Sequence, residues 1–121
     1  MQLSSNPINK NIEKQLSEML FGILAELKTP EEIKLVLSDI LTEAELTSVI
    51  KRLGIAVYLD KGRSYEDVKN NIKVSSATIA SVAERLGNSG WQEMIKRIKA
   101  EEWAADWTDR ISKSIKKILP L

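Results

Sequence analysis

The stretch SYEDVKNNIKVSSATIASVAERL, Ser64 to Leu86, reads as two short helices joined by a tight turn, and this pairing constrains the chain more than any other feature. Ser64 caps the first helix, which runs through Tyr65, Glu66, Asp67 and Val68 to about Ile72. A hydroxyl in that place accepts a hydrogen bond from an N–H group that the first helical turn leaves without a partner. Lys73 and Val74 make the turn, and Ser75 caps a second helix that reaches Leu86. Gly87 follows, where a left-handed C-terminal residue is expected. Val68 and Ile72 lie four apart on one face, and Ile79, Val82, Ala83 and Leu86 follow helical spacing. Val74 can plug the angle between the helices. The opposite face of the second helix shows Ser76, Ala77, Ala80, Ser81 and Glu84, with Thr78 and Arg85 on its flanks. A face this small and polar can approach base edges in a DNA major groove. Periodicity alone serves an ordinary αα-hairpin equally well.

The rest of the chain has the same helical character. Pro7 discourages helix at Asn6, and an amphipathic helix then carries Ile12, Leu16, Met19, Leu20, Ile23, Leu24 and Leu27 on one stripe. Thr29-Pro30-Glu31-Glu32 is a capping box with proline at the first helical position. It opens a short helix bearing Ile33, Val36, Leu37, Ile40 and Leu41. Thr42-Glu43-Ala44-Glu45 is a second box, opening a helix with Leu46, Val49, Ile50, Leu53, Val57 and nearby Ala56, which ends near Lys61 before Gly62. Ser89-Gly90-Trp91-Gln92 is a third such pattern. The last helix bears Trp91, Met94, Ile95, Ile98, Trp103, Ala104, Trp107, Ile111, Ile115, Ile118 and Leu119, and Pro120 stops it. No strand-like alternation and no internal repeat interrupts this order. The expected fold is all-α with about six helices in a single domain spanning 1–121: N-terminal helices over 9–61, a helix-turn-helix over 64–86 and a C-terminal helix over 90–119.

Composition narrows the chemistry. With 121 residues, 43% apolar and 29% charged, the chain suits one soluble globular domain. It has no cysteine and no histidine, which removes disulfides, thiol nucleophiles, His–Cys zinc sites and histidine bases together. There is no glycine-rich phosphate loop and no metal-ligand cluster. Ser112 and Lys116 sit one turn apart and read as a solvated face, while the neighbours Glu101 and Glu102 point about 100° apart. An enzyme is not expected, nor is a cofactor. No apolar run approaches the ~20 residues of a membrane span, and no signal peptide is evident, so the expected location is the cytoplasm. Net charge is +1 but uneven: residues 1–50 hold 4 Lys against 8 acids, and residues 51–121 hold 14 Lys and Arg against 9. A basic half points weakly to phosphate.

Leu46 to Trp91 resembles the Trp-repressor family, and within it the YerC/YecD-like subgroup of predicted helix-turn-helix regulators. The likeness rests on Gly62-Arg63-Ser64-Tyr65-Glu66-Asp67-Val68, on Ser76-Ala77-Thr78-Ile79 opening the second helix, and on Leu86-Gly87-Asn88-Ser89-Gly90-Trp91 after it. The resemblance implies a DNA-binding transcriptional regulator, Trp-repressor-like in fold, dimerising through its N-terminal helices. The Ile12–Leu27 stripe suits that role; a monomeric six-helix core is the alternative. Base readout would fall to Ser76, Ala77, Thr78, Ser81 and Glu84, since hydroxyls bond several bases, a methyl touches thymine and Glu accepts from cytosine. Phosphate contacts would come from Arg52, Arg63, Lys69, Lys73 and Arg85, with Lys51 and Lys61 nearby. Asn70 and Asn71 either bond phosphate or end the first helix.

The chain departs from the family at four places. Lys73 stands where glycine is usual in the turn, and Lys69 where a small residue is usual. Ser81 replaces an arginine of the reading helix, and Gly54 one of the preceding long helix. In the tryptophan repressor those two arginines help hold the corepressor, so tryptophan is not expected as effector here. The last helix runs past the usual family end, where Arg110, Lys113, Lys116 and Lys117 make a basic amphipathic terminus. Favourable charge at a helix C-terminus with packing of the isoleucines is the preferred reading, beside phosphate contact, a membrane-surface face or a partner-binding helix. A helical protein-interaction module that has lost DNA reading remains the rival function.

Overall fold

The computed structural model describes residues 4–118. Six helices follow in order: α1 (Lys10–Glu26), α2 (Pro30–Ile40), α3 (Glu43–Asp60), α4 (Tyr65–Ile72), α5 (Ser76–Arg85) and α6 (Ser89–Ile118). No strand occurs among the described residues, which form an all-α fold. The chain forms two compact units, Met1–Leu46 and Thr47–Leu121, and α3 passes from one into the other.

Local chemistry sets most boundaries. Asn9 caps α1, its side chain accepting from the Asn11 and Ile12 amides. Thr29 caps α2 by accepting from Glu32 N–H at 3.1 Å. The return arm of that box goes one residue early, from Lys28 N–H to Glu32 Oε2 at 3.3 Å. The box at α3 is complete: Glu45 N–H donates to Thr42 Oγ1 at 3.1 Å, and Thr42 N–H donates to Glu45 Oε1 at 2.8 Å. The Thr42 backbone bond, then the Thr42 hydroxyl, hold the Glu45 carboxyl below its usual range. α3 ends in a Schellman arrangement, with Gly62 N–H on Leu59 O, Arg63 N–H on Tyr58 O, and Gly62 at φ +77°.

Two junctions differ from expectation. Gly87 is not left-handed; Leu86 caps α5 in a right-handed conformation, and Asn88 N–H reaches back to Arg85 O at 2.9 Å. The tightened turn satisfies the last carbonyls without a positive φ. Ser89 does not cap α6 but is its first residue, and Gln92 Nε2 donates to Leu86 O at 2.7 Å instead of closing a box. That bond ties the start of α6 to the end of α5.

In the first unit no residue of α1 or α2 is buried. The α1 stripe faces outward, with Ile12 50%, Leu16 51%, Met19 59% and Ile23 51% exposed. In the second unit the core is Ile55, Ala56, Val68, Ile79 and Val82, flanked by Tyr58, Leu59, Ile72, Val74, Leu86 and Trp91. Thus α3 meets the α4–α5 pair through Ile55 and Ala56, and not through the Val49–Ile50 stripe that periodicity singles out. Val49 and Ile50 lie well round the helix from Ile55 and are exposed. The stripe on α3 is therefore only partly covered: Leu46, Leu53 and Val57 are half-buried while Val49 and Ile50 are exposed. The side chains of Trp107, Arg110, Ile111, Ile115, Lys116 and Ile118 lie outside the described residues, as do Leu119 and Pro120, so the reading of the basic terminus rests on sequence.

Candidate nucleic-acid interface

The turn between α4 and α5 is short: a left-handed residue closes α4 through its backbone, and a serine side chain caps α5. Ser64 Oγ accepts from Asp67 N–H at 3.1 Å and starts α4. Lys73 ends it in the left-handed region, φ 61° and ψ 62°, with its N–H on Lys69 O at 3.1 Å. A residue with a Cβ meets a modest cost there, as expected from a lysine in a glycine place. Ser75 Oγ then accepts from Thr78 N–H at 3.2 Å and starts α5. Val74 packs against the core between the two helices. Gly54 lets α4 approach α3: a Cβ there would stand 2.9 Å from Ile72 Cδ1.

With Ile79 and Val82 buried, the outer face of α5 is fixed. Ser76, Ala77, Ala80, Ser81 and Glu84 are exposed on it. Thr78 is placed differently. It is half-buried, shares a 2.9 Å hydrogen bond with Ser75 Oγ, and borders a cleft with Ser48, Lys51, Arg52, Lys73 and Val74. Its hydroxyl is thus partly spent on the cap, on the flank and not the crest of the helix.

The cations fall into two groups. Arg52, Lys69, Lys73 and Arg85 are exposed around the helix pair. Arg63 is engaged: it pairs with Asp67 at 2.8 Å and lies 5.6 Å from the centroid of the Tyr58 ring. Lys61 pairs with Glu102 at 3.0 Å, and Lys99 with Asp60 at 3.2 Å, along the α3–α6 contact. Both pairs are largely solvated, so they contribute little to stability. Asn71 donates to Asp67 O at 2.8 Å, which makes it a helix-terminating residue in the free protein. Lys51 Nζ donates to Lys73 O at 3.0 Å, a bond that no local sequence signal announces.

The two positions that lost an arginine are not equivalent. Ser81 borders a cleft of about 220 Å³ with Arg52, Val82, Arg85 and Trp91. Gly54 does not reach that cleft; it faces Ile72. The arginine that α3 brings to the cleft is Arg52. Among the described residues no group of three or more Asp or Glu side chains could hold a metal ion, and no helix is long and apolar enough to cross a membrane.

The chain is 32% identical over 97 residues to the uncharacterized protein YerC of Bacillus subtilis (strain 168), covering 78% of this chain and 92% of that one. The Trp repressor protein family matches residues 14–100, which hold α2 to α5, most of α1 and the first part of α6. The chain therefore belongs to the Trp repressor family, whose members are regulatory DNA-binding proteins and not enzymes.

Proposed function

We propose that the protein is a homodimeric, sequence-specific DNA-binding transcriptional regulator of the cytoplasm. The observation that carries this reading is the face of α5. Its apolar residues Ile79 and Val82 are buried, and its outward residues Ser76, Ala77, Ala80, Ser81 and Glu84 are small or acceptor-bearing. Such a helix fits a major groove, with Ser76, Ala77, Ser81 and Glu84 against base edges and Thr78 at the margin. Arg52, Lys69, Lys73 and Arg85 stand where phosphates would pass, and Arg63 joins them by exchanging Asp67 for phosphate.

Helix-turn-helix proteins generally read two half-sites with two copies. The open apolar faces support a dimer: the α1 stripe, and Val49 and Ile50 of α3, are exposed in one chain. Two α5 helices would enter successive major grooves and act by occupancy. L-tryptophan is not the effector: Ser81 lacks the guanidinium that the family's reading helix offers, although Arg52 keeps one at the same cleft.

A helical protein-interaction module is the second reading, favoured by the engagement of Arg63 and the missing arginine at Ser81. Pull-down of genomic DNA fragments by the purified protein separates the two. A regulator enriches a shared sequence motif, and Glu84→Ala shifts that motif; an interaction module enriches none.

A further inference from the structure

We propose that Lys51 is a positioning residue for the reading helix: its ammonium, bonded to the Lys73 carbonyl oxygen, holds the left-handed turn that sets α5 against α4. The proposal rests on the DNA-reading function above. Lys73 is the one residue other than glycine, among those described, with a positive φ. A residue with a Cβ leaves that conformation readily unless its neighbours hold it. The Lys73 N–H is already spent on Lys69 O, closing α4. Its carbonyl points the other way and receives Lys51 Nζ at 3.0 Å from 22 residues earlier in the chain.

The anchor of that arm is rigid. Lys51 lies one helical turn before Ile55, which is fully buried against the α4–α5 core. A hydrogen bond from a charged donor is stronger than a neutral one. Only Lys73 and Val74 separate α4 from the Ser75 cap. A change of backbone at Lys73 would therefore swing Ser76, Ala80 and Glu84 together. Lys51 shares its cleft with the exposed cations Arg52 and Lys73. Unlike them it is committed to backbone, so its influence on DNA runs through geometry and not through a phosphate.

Lys51→Met removes the donor and keeps the length of the side chain; Lys51→Arg keeps a donor. In the free protein, amide hydrogen exchange at Lys73 is expected to lose about tenfold protection in Lys51→Met and to hold in Lys51→Arg. On duplexes recovered from the genome and on scrambled controls, Lys51→Met is expected to lose selectivity about tenfold with an unchanged salt slope. A phosphate cation would do the reverse, weakening both duplexes alike and making the slope shallower by about 0.9. Adding Lys73→Gly to Lys51→Met recovers selectivity, because glycine enters the left-handed region without the Cβ cost that the Lys51 bond offsets. Unchanged exchange at Lys73, or a shallower slope with selectivity intact, overturns the proposal. If wild-type protein binds no duplex, the DNA-reading function fails and the positioning role with it, while the exchange data still report whether Lys51 holds the turn.

Discussion

Lys73→Gly should make the protein more stable and a weaker DNA binder at once. Lys73 occupies φ 61° and ψ 62°, and a left-handed conformation costs a residue with a Cβ about 1–2 kcal/mol. Glycine removes that cost but adds freedom to the unfolded chain, which returns about 0.4–1 kcal/mol. The Lys51 bond goes to the backbone carbonyl and survives the change. The net expectation is a gain of about 0.5–1 kcal/mol, or a rise in Tm of about 2–5 °C. Thermal unfolding followed by circular dichroism reads it, with wild type and variant at equal protein concentration because association shifts Tm. The lost ammonium should weaken binding to all duplexes alike and reduce the salt slope by about 0.9. A lower Tm would refute the reasoning, since it would mean that the lysine side chain supplies more than the backbone loses. An unchanged salt slope would remove Lys73 from the phosphate contacts.

Ile79 is fully buried in the α3–α4–α5 core, so Ile79→Ala should destabilise the protein by about 2–5 kcal/mol in urea unfolding. Leu16 is 51% exposed on the α1 stripe. Leu16→Glu should leave a single chain folded but disrupt the dimer, because an unpaired charge in an apolar contact is costly; a wild-type monomer in sedimentation at micromolar concentration would end the dimer account. Calorimetry with L-tryptophan should show no appreciable binding; submillimolar binding that also tightens DNA association would show that Ser81 does not exclude it.

The sequence announces those features that are settled within a few residues. Ser64, Ser75, Thr29 and Thr42 cap the helices they precede, because a hydroxyl and an orphan amide three residues on need nothing else to meet. The orientation of α5 follows as well, since its two faces differ so strongly. Choices between two apolar faces are not legible in this way. Ile55 lies opposite the stripe through Leu46, Val49, Ile50, Leu53 and Val57, and only packing against Val68 and Ile79 makes it the centre of the core. Gly87 carries a left-handed signal that the tight Asn88–Arg85 turn makes unnecessary, whereas Gly62 uses its freedom. Within the candidate site, the placement of Thr78 depends on its bond to Ser75, and the role of Lys51 on a contact across 22 positions. The difference between Gly54 and Arg52 is likewise tertiary: two positions apart on α3, one faces Ile72 and the other faces the Ser81 cleft.

The claim that α5 reads DNA is tested most directly by fluorescence anisotropy of the folded wild-type protein on duplexes, from low salt upward. The account predicts saturable binding that prefers a genomic motif to its scrambled control by about a thousandfold, falling steeply with salt as phosphate contacts require. A folded protein that binds no duplex even at low salt contradicts it.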